Sequence, residues 1–110
     1  MRKTVVILAE LGAMAGSPAL ADSHYMFCFG GGRVGLYYSA VFAVPEGTKS
    51  AATATAFTAF VMSKYGHSPG TECHSNQTLA IATADKKQRQ DSDQTSKFPS
   101  KIIETGWAGK

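Results

Sequence analysis

His24-Tyr25-Met26-Phe27-Cys28-Phe29-Gly30-Gly31-Gly32-Arg33-Val34-Gly35-Leu36-Tyr37-Tyr38-Ser39-Ala40-Val41-Phe42-Ala43-Val44 is the stretch whose reading decides the fold of this 110-residue chain. Bulky and small or polar residues alternate on both sides of three glycines, and a period of two belongs to extended strands. In the first run, Tyr25, Phe27 and Phe29 share one face and His24, Met26 and Cys28 the other. In the second, Val34, Leu36, Tyr38, Ala40, Phe42 and Val44 form the bulkier face, expected to point at the core, with Tyr37 on the lighter face. Two such runs about a glycine-rich turn read as a β-hairpin.

C-terminal to the hairpin the period changes. Pro45-Glu46-Gly47-Thr48 ends the second strand, and Ala56, Phe57, Phe60, Val61 and Tyr65 then recur at helical spacing over residues 50–65. Gly66 fits the stop, because glycine adopts the left-handed conformation that closes a helix. Residues 72–75 suit a short strand carrying Cys73, and Ser75 or Asn76 is placed to cap a second helix over residues 77–91. That helix has a small apolar patch (Leu79, Ile81, Ala82) and a polar far half, Lys86-Lys87-Gln88-Arg89-Gln90-Asp91, expected to face solvent. Asp85 and Arg89 stand at the spacing of an i,i+4 ion pair. After a polar connector, residues 101–105 read as a last strand centred on Ile102 and Ile103. The order strand, strand, helix, strand, helix, strand implies an α+β domain. Its small antiparallel or mixed sheet of about four strands is expected to carry both helices on one face.

N-terminal to the hairpin lies a different kind of segment. Arg2 and Lys3 precede an apolar run over residues 4–15, Gly16-Ser17-Pro18 breaks it, and Ala19-Leu20-Ala21 is a small-x-small cleavage pattern. This is the layout of a secretory signal peptide over residues 1–21, cut between Ala21 and Asp22, leaving one domain over residues 22–110. An apolar run this short, containing Glu10, is too brief to span about 30 Å of hydrocarbon, so no membrane span is expected after cleavage. In an exported chain, Cys28 and Cys73 as the two cysteines read as one disulfide.

The composition narrows the function classes. A charged fraction of 17% and a net charge of +3 are too mild to call for a nucleic-acid partner. Gly30-Gly31-Gly32-Arg33-Val34-Gly35 fits G-x-G-x-x-G, but a strand pattern follows it where the dinucleotide fingerprint opens a helix. Gly66-His67-Ser68-Pro69-Gly70 fits G-x-S-x-G, yet Pro69 lacks the amide hydrogen that a nucleophile elbow uses for its oxyanion hole. His24 and Cys28 on one strand are about 13 Å apart at roughly 3.3 Å per residue, too far to share a metal ion. Neither a metal nor a cofactor is therefore expected. Asn76-Gln77-Thr78 is formally a glycosylation sequon, equally explained by Asn76 as a cap. What remains is aromatic: Tyr37, Tyr65 and Trp107 are the candidate binding surface, as rings for stacking on a sugar or a protein partner.

Cys28 in the first strand, Tyr37-Tyr38-Ser39-x-Val41-Phe42, Cys73 before a charged helix, and the closing Glu104-Thr105-Gly106-Trp107 together resemble a group of small exported bacterial proteins. The resemblance implies export, the disulfide and a bacterial source, and brings no catalytic residue with it. A weaker architectural likeness is to SPOR-type peptidoglycan-binding domains, which open strand-helix-strand where this chain opens with a hairpin. The expected function is a small exported, disulfide-stapled binding module, periplasmic or secreted, not an enzyme, with an unknown protein or envelope glycan as partner. The alternatives are a peptidoglycan binder or inhibitor of a secreted hydrolase, and a small secreted hydrolase with His67 or His74 as base.

Overall fold

The aromatic run of the hairpin extends in both directions into a nine-residue strand, β1 (Ser23–Gly31), around which the sheet is organised in a computed structural model. The structure describes residues 23–110 apart from Arg33 and Phe98, so the expected signal peptide and the expected cleavage between Ala21 and Asp22 lie outside the described residues. One edge of β1 pairs antiparallel with β2 (Leu36–Tyr38) and β3 (Phe42–Pro45), and the other pairs antiparallel with β4 (Gly70–Asn76). β5 (Ile102–Glu104) joins the outside of β2 in parallel, which makes the sheet mixed. The hairpin loop closes with the Gly32 amide donating to the Gly35 carbonyl at 2.8 Å. Gly35 is required where it stands, since a Cβ there would lie 2.5 Å from the Lys101 carbonyl oxygen.

The second run is two strands rather than one because a β-bulge interrupts it. Phe29 pairs with Tyr38 and Met26 with Phe42, so Phe27 and Cys28 are opposed by Ser39, Ala40 and Val41. The extra residue shifts the alternation by one. Tyr38 and Val41 therefore pack with Phe27 and Phe29 on one face, while Tyr37, Phe42 and Val44 pack with Met26 and Cys28 on the other. The expected single face carrying Tyr38, Phe42 and Val44 is corrected accordingly. Ser39 makes the bulge cheap: its buried hydroxyl accepts from the Cys28 amide at 2.8 Å, and its own amide donates to the Cys28 carbonyl.

The first helix, α1 (Ser50–Tyr65), has the expected bounds and ends at Gly66, whose φ of 77° is left-handed and whose amide returns to the Met62 carbonyl. Phe57 and Val61 are fully buried against Met26, Cys28, Tyr37, Phe42, Val44 and Trp107, with Phe60 and Tyr65 at the margin. The second helix, α2 (Leu79–Thr95), starts later than expected, because Thr78 and not Ser75 or Asn76 is the cap, its hydroxyl accepting from the Ile81 amide. Asn76 stays in β4 and donates to Asp85 instead.

The two helices lie on opposite faces of the sheet, which corrects the expectation of both on one. Residues of α1 meet the even-numbered side chains of β1, whereas Arg89 of α2 stacks over odd-numbered Phe29 at 4.3 Å. The polar half of α2 is also not wholly solvent-facing. The Lys86 ammonium donates to the Ser39 carbonyl and to Glu104, and Gln90 donates to Glu104 at 2.7 Å. The i,i+4 ion pair that forms on this helix is Lys87–Asp91 rather than Asp85–Arg89.

Cys28 and Cys73 face one another in the β1–β4 ladder with Cα atoms 4.0 Å apart and are joined by a disulfide. Both backbone polar groups of Cys28 turn away toward Ser39, which leaves Cys28 and Cys73 as a narrow, non-hydrogen-bonded pair, where opposed side chains come closest. The bridge closes a loop of 45 residues, worth about 4 kcal/mol by chain entropy. Among the described residues, no helix is long and apolar enough to cross a membrane.

Candidate functional site

Beyond β5 the chain keeps running alongside β2 and the bulge. The Thr105 amide and hydroxyl both donate to the Tyr38 carbonyl at 2.9 Å, and the Ala40 amide donates to the Trp107 carbonyl at 2.9 Å. Gly106, at φ 76°, supplies the turn between them, and the Trp107 amide returns to the Thr105 hydroxyl. These bonds hold the indole against Phe42 edge-on at 5.4 Å and against Phe57 at 5.3 Å. Trp107 is consequently 5% exposed, a core residue rather than an open stacking surface.

The expected binding surface is corrected by the same packing. Tyr37 is fully buried with its ring 4.9 Å from that of Tyr65, which is half-buried, and Trp107 belongs to a separate ring cluster with Phe42, Phe57 and Phe60. The three aromatic residues do not form one exposed platform. The misplacement of Tyr37 follows directly from the bulge, since the residue stays on the face it was assigned and that face is the larger core.

A different concavity opens beside Trp107. The end of β3, the first two turns of α1 and the C-terminal residues bound a groove of about 370 Å³. Phe42, Val44, Pro45, Ala52, Ala56 and Trp107 give it mainly apolar walls, with Lys110 among the residues at its border. Ala52 and Ala56 are one helical turn apart, and their small side chains leave the space that a larger residue would fill. Their i,i+4 spacing was visible in the sequence; that it faces a groove required the packing of the chain end.

A second cluster lies on the α2 side. His74 stands on β4 opposite Phe27 and packs edge-on to the rings of Phe27 and Phe29, 5.4 and 5.1 Å away. Its Nδ1 meets Asp85 Oδ2 at 3.2 Å and its Nε2 meets Glu72 Oε2 at 3.1 Å. A neutral imidazole carries one N–H, so which of the two carboxylates it donates to depends on its tautomer. The two carboxylates bind opposite nitrogens of the ring and so do not converge on a common point. Among the described residues, no group of three or more His, Cys, Asp and Glu residues is arranged to hold a metal ion. His67 is half-buried and Ser68 is exposed in the loop after α1.

No known protein family, curated protein or solved structure matches this chain. The functional reading therefore rests on geometry. Along α2, Asp85, Gln88, Arg89, Ser92 and Asp93 border a smaller polar depression of about 290 Å³. Its charged groups are largely engaged with the sheet: Asp93 accepts from the Tyr38 hydroxyl at 2.7 Å, Asp85 holds His74, and the Arg89 guanidinium lies on Phe29. Burial, and then the hydrogen bond and charge of Asp93, push the Tyr38 hydroxyl well above its ordinary pKa. These groups close the second face of the sheet, whereas the groove beside Trp107 has mainly apolar walls.

Proposed function

We propose that this chain is a small exported, disulfide-stapled binding module without catalysis, acting in the periplasm or outside a bacterial cell on a partner protein. The observation that carries the reading is the apolar groove of about 370 Å³ between β3, α1 and the chain end. Such a groove takes a bulky apolar side chain of a partner and excludes water around it, which is how small interfaces concentrate their affinity. A secreted hydrolase is one class of partner, and the module would then act as its inhibitor. The peptidoglycan alternative draws less support, because sugar stacking needs an open ring face and Trp107 is 5% exposed. The hydrolase alternative needs His67 or His74 as base; both nitrogens of His74 are taken by Asp85 and Glu72, and His67 stands in the loop after α1.

The test is photo-crosslinking from position 52 in the exported protein, with and without Ala56→Trp to fill the groove. A discrete protein adduct that disappears in the filled variant is the expected result. An absent adduct, or one indifferent to Ala56→Trp, overturns the assignment of the groove. Sedimentation with purified sacculi, abolished by Ala56→Trp, would replace the protein partner with a glycan. The intact mass of the same sample reads the export proposal, being expected to start at Asp22 and to be two hydrogens lighter than the reduced chain.

A further inference from the structure

We infer that the free edge of β4 pairs antiparallel with β4 of a second copy, in the register that sets Glu72 opposite His74. Sheets hide their edges by keeping edge strands short or by placing proline or lysine in them. β5 is three residues long, and β3 has four and ends in Pro45. β4 has seven residues, Gly-Thr-Glu-Cys-His-Ser-Asn, with neither proline nor lysine, and among the described residues it pairs with β1 alone. Glu72 and Ser75, on opposite faces of the strand, are exposed, while Thr71, Cys73, His74 and Asn76 are half-buried.

The direction of its free groups follows from the disulfide. Cys28 spends its amide and carbonyl on Ser39, so Cys28–Cys73 is a non-hydrogen-bonded pair and the backbone groups of Cys73 point away from β1. Thr71 and Ser75, two residues to either side, point the same way. An added antiparallel strand must bond to these three residues. A second β4 does so in three centred registers, and the side chains distinguish them. Centring between positions 71 and 73 sets Glu72 against Glu72, a like-charge pair. Centring on position 74 sets His74 against His74. Centring on Cys73 sets Glu72 against His74 twice, in the narrow pairs where side chains are closest, and Thr71 against Ser75 twice, a pair that hydrogen-bonds across strands.

Carboxylate and imidazole make this register self-complementary. Glu72 Oε2 and His74 Nε2 already meet within one strand at 3.1 Å, and the second copy brings the same two groups together twice across the seam, on the α2 side of the joined sheet. Glu72, with a side chain 62% exposed, is free to turn from its own His74 to that of the other copy. The disulfide keeps β4 flat against β1, so the edge is presented without an ordering step at association.

Sedimentation velocity of the exported protein over a concentration series, disulfide intact, tests the pairing. A concentration-dependent dimer is expected, weakened about tenfold or more by Glu72→Lys, which removes the carboxylate from both Glu72–His74 pairs and sets a lysine on each edge at the seam. Ser75→Pro, which removes an outward amide, is expected to abolish it. Exchange on the wild-type protein reads the edge without a variant: the amides of Thr71, Cys73 and Ser75 gain protection as concentration rises. A protein monomeric at every concentration overturns the proposal and leaves the edge to a strand of another protein. A dimer that keeps its affinity in both variants, or that leaves those three amides unprotected, places the interface elsewhere and also overturns it.

Discussion

The sheet has two faces closed by different physics. Against α1, ring and aliphatic side chains interlock: Met26, Cys28, Tyr37, Phe57 and Val61 are fully buried, and Trp107 seals the margin. Against α2, the apolar layer is Phe27, Phe29 and Tyr38 with Leu36, Val41 and Ile102 at its margin, and the long side chains that α2 and β4 lay over it are charged or polar. Arg89 lies flat on Phe29, His74 stands edge-on to both phenylalanines, and Lys86 and Gln90 are tied to Glu104. The sole fully buried side chain recorded for α2 is Ala82, while Leu79 and Ile81 are about half exposed. The α1 face is held by non-directional burial, and the α2 face by directional contacts that water and ions can compete for.

Truncation separates the two faces most strongly. Phe57→Ala removes a fully buried ring from the α1 face and is expected to cost about 3–5 kcal/mol, a large share of the 5–15 kcal/mol that holds a domain of this size. Arg89→Ala removes a stacked guanidinium from the α2 face and is expected to cost about 1–2 kcal/mol. Urea midpoints of the two variants measure both. Equal costs would mean that α2 contributes to the core as α1 does, and the distinction would fall.

The two faces were not equally legible in the sequence. α1 was readable to the residue because Phe57, Phe60, Val61 and Tyr65 mark an apolar stripe and Gly66 marks its end. The disulfide was readable from two cysteines behind a leader whose pattern reads as an export signal. The covering of the second face was not, because a hydrophobic pattern scores Lys86, Arg89 and Gln90 as solvent-facing. It is blind to a guanidinium stacked on a ring or an ammonium on a backbone carbonyl. The phase of the second strand was also hidden. One bulge at Ser39 reverses every assignment after it, and its local trace was a pair of small residues, Ser39-Ala40, within an aromatic and β-branched run. The groove depends on where residues 105–110 return to the sheet, which no local spacing encodes.

Alkaline titration is expected to act through the α2 face. The Tyr38 hydroxyl is held protonated above its ordinary value by burial and by its bond to Asp93. The unfolded chain gives up that proton near pH 10, before the native protein does, so the contribution is complete below about pH 10 and falls as pH rises beyond it. Stability followed from pH 8 to 11 should therefore decline at the upper end, and Tyr38→Phe should flatten the decline. Below pH 9 the same variant costs about 1 kcal/mol, for a hydrogen bond to a carboxylate that solvent partly reaches. A decline unchanged by Tyr38→Phe would place the alkaline sensitivity elsewhere and remove this evidence for a polar closure.

The smallest effect is the most discriminating, because it compares adjacent residues of one type. Tyr37 and Tyr38 are both fully buried, on opposite faces of β2. The Tyr38 hydroxyl has Asp93; the Tyr37 hydroxyl has no hydrogen-bond partner among the described residues. A buried hydroxyl without a partner has lost its water and gained nothing in exchange, so deleting it relieves a desolvation cost. Tyr37→Phe is therefore expected to be neutral or to stabilise by up to about 1 kcal/mol, opposite in sign to Tyr38→Phe. Matched urea titrations of the two single variants at neutral pH read the difference directly. A loss of about 1 kcal/mol or more in Tyr37→Phe would reveal a bound water or another partner on that hydroxyl. The α1 face would then contain a directional contact of the kind that defines the α2 face.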